Sequence, residues 1–266
     1  MLSTIIFSKN RPLQLDLCLK SVKENWMGGD VFVLYDCDNE YVKAYDTCWQ
    51  EHQNVKFFRQ DSFSKTLSTC LKLCNDNYIS FLTDDNIVYK QCYTDKKMLG
   101  EIFSHQEIGC MSLRLGVNIS ERDGRKVPLP TFTKLGHHLL WNRMSYLAQS
   151  YWNYPLSVDG HVFRTQFIRW IWDCHLQYEN ISGPNRLESL MQRFFFEIGQ
   201  FMACENYSKV VNSPNNRVQN DIPNWYGDHY NYPPQDLLKK YLDGHRIDLQ
   251  SLEFDVKCPH QEIELL

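Results

Sequence analysis

Over residues 1–90, short apolar runs alternate with longer stretches in which apolar and polar positions are interleaved. Ser3-Thr4-Ile5-Ile6-Phe7-Ser8 reads as a strand that begins almost at the first residue, and Val31–Tyr35, Val55–Arg59 and Tyr78–Leu82 read as three more. Bounded apolar runs of this kind are what strands covered on both faces look like. Between the first two strands, Pro12 is well placed at a first helical position. Leu13, Leu15, Leu17, Leu19 and Val22 then supply the apolar side of a helix reaching about Glu24, before Gly28-Gly29-Asp30 breaks the chain. Residues 41–52 form a second helix, and Ser62 caps a third that carries Leu67, Cys70, Leu71 and Cys74 on one side. The resulting order, β-α-β-α-β-α-β, calls for a parallel sheet covered by helices.

Beyond residue 90 the pattern predicts a helix over 92–104, a strand at Ile108–Leu113, and a polar surface loop or hairpin over 118–130. Trp141, Tyr146, Tyr151, Trp152 and Tyr154 crowd into the next segment; aromatic faces stack on sugar rings, but core packing is the reading for most of them. Residues 154–164 are strand-like with a polar interruption at Asp159-Gly160-His161, and 167–177 have helical spacing. A further helix opens near Asn185, an N-cap candidate, with Glu188 at the third helical position as in a capping box. Val210 and Val211 lead a strand into a polar turn, and 224–234 read as a loop placed to act as a mobile lid. A short helix over 234–242 is ended by Gly244.

Composition narrows the chemistry. With 266 residues, 43% of them hydrophobic, the chain can bury a substantial core. A net charge of −4 and the absence of long basic blocks argue against nucleic acid as a partner. Ten scattered cysteines without a CxxC pair, and no secretory leader ahead of the first strand, point to reduced thiols in the cytoplasm. No apolar run approaches the roughly 20 residues of a membrane span. The chemical signal lies instead at strand ends. Tyr78–Leu82 runs into Thr83-Asp84-Asp85-Asn86, and Val31–Tyr35 into Asp36-Cys37-Asp38-Asn39. Carboxyl ends of strands are where open α/β sheets bind ligands, and adjacent carboxylates there need a cation or solvent to stay ionised. A hard ion such as Mn²⁺ or Mg²⁺ suits them; a solvated turn that merely stops the strand is the competing reading.

The order strand, Asn10-Arg11 turn, helix, strand ending in Asp36, and later strand ending in an acidic cluster resembles glycosyltransferases of the GT-A fold, most closely the family-2-like members. The resemblance is clear over residues 1–120. It implies an α/β fold with a mostly parallel, Rossmann-like central sheet flanked by helices and an α-rich, aromatic-rich acceptor side. Residues 1–117 form the nucleotide-sugar-binding half of a single domain on this reading, and 118–266 the acceptor-binding half and tail. The implied activity is metal-dependent transfer of a sugar from a nucleotide-diphosphate sugar, a UDP-sugar foremost, to a glycan or other hydroxyl acceptor, with inversion.

Site residues follow from the same resemblance. Ser8, Asn10, Arg11, Asp36, Asp38 and Asp84 contact the donor; separately, the residue type makes Arg217 a candidate clamp for its diphosphate, for which a guanidinium fork is well suited, against the simpler reading of an exposed salt-bridging arginine. Thr83-Asp84-Asp85-Asn86 looks like the DxD motif, with Thr83 where many members have the first Asp. Asp85 is the leading metal ligand, joined by Asp84 and, late in the chain, His260. Glu188 is preferred to Asp159 as the catalytic base, against the simpler alternatives of a helix cap and a tight turn. Two other classes remain open. A nucleotidyltransferase would bring a glycine-rich loop that Phe7-Ser8-Lys9-Asn10-Arg11-Pro12 lacks, and a non-catalytic nucleotide- or sugar-binding module would never hydrolyse a donor.

Overall fold

The structure is a computed structural model, and it describes residues 1–26, 28–122, 124–146, 150–219 and 226–266. Along the first half run β1 (Leu2–Lys9), α1 (Pro12–Asn25), β2 (Val31–Asp36), α2 (Val42–Glu51), β3 (Lys56–Arg59), α3 (Phe63–Leu73), β4 (Tyr78–Thr83), β5 (Asn86–Val88), α4 (Lys96–Ser104) and β6 (Ile108–Ser112). The second half supplies β7 (Glu121–Arg122), β8 (Arg125–Lys126), β9 (Thr133–Leu135), β10 (His138–Asn142), β11 (His161–Arg164), α5 (Thr165–Ile171), α6 (Pro184–Met191), β12 (Phe201–Cys204), β13 (Val210–Asn212) and α7 (Pro234–Leu242).

One nine-stranded sheet takes strands from both halves, in the order β3-β2-β1-β4-β11-β6-β12-β10-β9. β1 is parallel to β2 and β4, β2 to β3, and β6 to β12, while β11 runs antiparallel to both β4 and β6. A mostly parallel sheet of this kind must be covered on both faces, and β1 accordingly buries seven of its eight residues. Gly29 makes the first crossover possible: its φ of +104° favours glycine, and a Cβ there would lie 1.8 Å from the Leu2 carbonyl oxygen.

Several sequence expectations are refined by packing. Ser62 precedes α3, yet its side chain accepts no capping bond. The helix expected from residue 92 begins at Lys96, where Asp95 accepts from the backbone N–H groups of Lys97 and Met98. The helical stretch after residue 165 passes from α5 into a π-turn at Trp172–Leu176. Helix α6 starts at Pro184 behind Gly183, one residue before the expected Asn185 cap. Trp141 and Trp152 are buried edge-to-face, and the Trp141 indole N–H donates to the Trp152 carbonyl at 2.7 Å. All ten cysteines are free. No helix among the described residues is long and apolar enough to cross a membrane. Residues 224 and 225 of the expected lid lie outside the described residues, as does Asp123 of the 118–130 segment.

His161, part of the polar interruption Asp159-Gly160-His161, is fully buried at the start of β11. One ring nitrogen, Nδ1, lies 3.0 Å from the Pro155 carbonyl and donates to it, and Nε2 is buried without a partner. Burial, aided by the charge of Arg114, lowers its pKa from 6.5 to about 3. The folded protein therefore resists protonation there while the unfolded chain does not, so stability is present above pH 6.5 and is lost as pH falls toward 3. Urea denaturation of His161→Gln should show a shallower loss of stability across that window; an unchanged slope contradicts the buried neutral imidazole.

Candidate active site

Sheet order indicates where a ligand is received. β1, β2 and β3 step toward one edge, and β4 lies on the other side of β1. The progression reverses between β1 and β4, and crevices in open α/β sheets form outside the carboxyl ends of strands at such a reversal. Lys9 ends β1, with Asn10 and Arg11 just after it, and Thr83 ends β4, with Asp84 and Asp85 just after it. A cleft of about 1570 Å³ opens over these ends. Its wall includes Lys9, Arg11, Asp36, Glu188, Arg217 and His260.

The acidic pair is tied down from all sides. Asp84 Oδ2 accepts from the Ser8 hydroxyl at 2.8 Å and the Lys9 N–H at 3.0 Å, and its own N–H donates to the Phe7 carbonyl at 2.9 Å. Arg11 Nη1 lies between the carboxylates, 3.0 Å from Asp84 Oδ1 and 2.8 Å from Asp85 Oδ2. Burial pushes the Asp84 carboxyl up, to about 6, against the pull of Arg11. For Arg11 burial opposes the charge, but the two carboxylates outweigh it and raise its pKa further. Asp85 Oδ1 accepts from Thr83 Oγ1 and from Asn212 Nδ2, each at 2.7 Å. Every carboxylate oxygen of the pair thus receives a donor from the protein. Among the described residues, no group of three His, Cys, Asp or Glu side chains is placed to hold a metal ion.

Thr83 explains its own departure from an acidic motif. Its hydroxyl is 2.7 Å from Asp85 Oδ1 and 3.0 Å from Asp159 Oδ1, so it stands between two carboxylates where a third would add like charge in a buried corner. Asp159 Oδ2 in turn meets Arg114 Nη1 at 3.1 Å and His260 Nε2 at 3.3 Å. Burial alone would raise the Asp159 pKa, but the hydrogen bond from His260 and the charge of Arg114 hold it well below the usual carboxylate range.

Glu188 is placed differently. With α6 starting behind Gly183, Glu188 is the fifth helical residue rather than the third, and the expected capping box is not formed. Oε1 accepts from the Tyr154 hydroxyl at 2.6 Å, and Oε2 from the Val158 N–H at 2.8 Å and the Ser157 hydroxyl at 3.3 Å. Burial and the nearby charge of Asp159 raise its pKa.

The other expected residues separate into two groups. Asp36 lines the cleft and pairs with Lys9 Nζ at 2.9 Å, and Arg217 lines it with its guanidinium 5.0 Å from the Tyr226 ring centroid. Asn10 and Asp38 instead clamp each other: Asn10 Nδ2 donates to Asp38 Oδ2 at 2.8 Å, and the Asp38 N–H donates to Asn10 Oδ1 at 2.9 Å. Asn10 does so from a left-handed conformation, φ +51°, which asparagine tolerates better than most residues. His260, expected as a late metal ligand, has its Nε2 3.3 Å from Asp159 Oδ2 and 3.3 Å from Arg114 Nη1. A bridge between Asn212 and His260 and the 2.9 Å bond from the Gln261 N–H to the Asn212 carbonyl hold the tail where its imidazole meets Asp159. Arg114, Asn212 and Asn216 were not legible as site residues; only the position of Arg114 just past β6 offered a signal.

The open, mostly parallel sheet with an antiparallel β11 inserted beside β4, and a charged crevice at its reversal point, form the GT-A fold. No protein-family model matches the chain. It is 24% identical over 290 residues to the bifunctional glycosyltransferase pgtA of Dictyostelium discoideum, an alignment covering 96% of this chain and 38% of that protein. TarS of S. aureus, solved in complex with UDP, superposes with a TM-score of 0.53 at 15% identity over 80% of this chain and 61% of that one. A second TarS structure gives 0.52 at 16% identity, over 79% and 59%. The chain thus spans less than two thirds of either relative.

A substitution at Thr83 tests this electrostatic layout. Thr83→Ser keeps the hydroxyl and should cost less than about 1 kcal/mol, whereas Thr83→Asp should cost about 2 kcal/mol at neutral pH by adding an unpaired, half-buried charge between two carboxylates. Part of that loss should return in acid as the new carboxyl takes up a proton. Equal stability of the two variants in urea titrations contradicts it.

Proposed function

We propose that this chain is a glycosyltransferase that moves a sugar from a nucleotide-diphosphate sugar, with UDP as the nucleotide, to an acceptor hydroxyl with inversion at the anomeric carbon. The observation that carries the reading is that one cleft unites a basic and acidic strand-end cluster with a separate, basic carboxylate, Glu188. The similarity to pgtA and the GT-A fold support it. The diphosphate is received at the β1–β4 crevice, where Lys9, Arg11 and Arg217 supply positive charge and Asp36 offers an acceptor for nucleoside N–H or O–H groups.

Inversion needs a base on the face of the sugar opposite the leaving group. Glu188 fits this role better than Asp159. A carboxylate with a raised pKa is a stronger base near neutrality, whereas Asp159 is held at low basicity by Arg114 and His260. Tyr154, Ser157 and the Val158 N–H hold the Glu188 carboxylate in place, so the acceptor hydroxyl meets an oriented oxygen. As the C–O bond to the acceptor forms, the hydroxyl proton passes to Glu188 and the sugar–phosphate bond breaks, leaving the electron pair on the nucleoside diphosphate.

A panel of nucleotide sugars, each with and without simple glycoside acceptors, tests the reading by release of nucleoside diphosphate. One donor should turn over, with an acidic limb in the pH profile above the ordinary carboxylate range, since activity rises as Glu188 loses its proton. Glu188→Gln should lower kcat by about 10²–10⁴-fold and remove that limb. No turnover with any donor, or a Glu188→Gln enzyme with an unaltered profile, contradicts the assignment.

A further inference from the structure

Resting on the donor reading above, we infer that Arg11 is the resident cation of the diphosphate site and that nucleoside-diphosphate binding here requires no divalent metal ion. A divalent ion gripped by Asp84 and Asp85 would have to sit between their carboxylates. That place is taken: Arg11 Nη1 lies 3.0 Å from one and 2.8 Å from the other. The remaining oxygens are claimed by Ser8, the Lys9 N–H, Thr83 and Asn212. Mg²⁺ and Mn²⁺ need carboxylate lone pairs that are free or easily freed, and this donor set does not fit such an ion.

The guanidinium is also built into its position. Arg11 Nε donates to Asn216 Oδ1 at 2.7 Å, and Nη2 donates to the Asn216 carbonyl. Asn216 is itself held, its amide donating to the Tyr232 carbonyl at 2.8 Å and to Gln14 Oε1 at 3.3 Å. A metal ion displacing Nη1 would leave a guanidinium that is only 9% exposed without its carboxylates, and a buried charge stripped of its partners is strongly destabilising. Of the five N–H groups of a guanidinium, four are used: one on Nε, two on Nη1 and one on Nη2. The fifth, on Nη2, is the donor left for a phosphate oxygen, and Arg11 lines the cleft. Charge-assisted N–H···O bonds to phosphate are among the strong ones, and Lys9 and Arg217 stand in the same wall.

The test is calorimetric titration of the wild-type chain with UDP, GDP, CDP and ADP, in excess EDTA and in excess MnCl₂. One nucleotide should bind with a Kd that agrees within about twofold between the two conditions. Electron paramagnetic resonance of Mn²⁺ should show no more ion withdrawn by protein plus that nucleotide than by the nucleotide alone. Arg11→Met should weaken binding in EDTA by about tenfold or more, with its folding checked by circular dichroism; the wild-type measurements stand without it. Binding that appears only with Mn²⁺, or extra Mn²⁺ captured in the ternary mixture, overturns the inference and leaves the donor reading intact. If no nucleotide binds in either condition, the donor reading fails and the inference with it.

Discussion

Two carboxylates at the end of one strand face a guanidinium at the end of its neighbour, and the rest of the cleft is arranged around that contact. Asp84 and Asp85 carry like charge side by side, and burial makes Asp84 costly to ionise. Arg11 offsets the charge of both through one nitrogen. This is possible because β1 and β4 are hydrogen-bonded neighbours with Phe7 opposite Thr83, so the residues just past each end emerge side by side. Without the crossover that returns β4 to the far side of β1, the acids and the arginine would lie at separate strand ends.

From that contact, hydrogen bonds extend into the second half of the chain. Asn212 on β13 reaches Asp85 and Thr83, Thr83 reaches Asp159, and Asp159 meets Arg114 and His260. Asn216 holds Arg11 from the segment following β13. Residues far apart in the chain thus form one hydrogen-bonded unit in which Arg11 and Arg114 offset the charge of three carboxylates and neutral Thr83 separates Asp85 from Asp159. Glu188 stands outside this unit, bonded to Tyr154, Ser157 and Val158, and so keeps a basicity that Asp159 has lost. Two carboxylates in one cleft acquire different properties from their neighbours alone.

Much of the sheet was legible in the sequence because buried parallel strands are continuous apolar runs and helices between them carry amphipathic spacing. The first ninety residues therefore translate almost directly into β1 to β4 and α1 to α3. The strand-end acids were legible for the same reason, since charge at the end of an apolar run is conspicuous. What sequence spacing cannot convey is which charges meet. Arg11 reads as part of a turn motif until β4 is laid beside β1. Thr83 reads as a defect in an acidic motif until Asp159 arrives from 76 residues away. That His260 comes to Asp159 is visible only once the tail is seen bridged to Asn212. Glu188 reads equally well as a helix cap until α6 is seen to start behind Gly183 and the carboxylate to bond Tyr154, Ser157 and Val158.

The central claim is that a resident guanidinium, clasped by the two strand-end carboxylates, receives the donor diphosphate at the β1–β4 crevice. The most direct measurement is a crystal structure of the chain with UDP, grown in the presence of MnCl₂. The account predicts diphosphate oxygens against the Arg11 guanidinium, with Nη1 still between Asp84 and Asp85. A nucleotide bound elsewhere, or an Arg11 swung aside with a metal ion seated between the carboxylates, would contradict it.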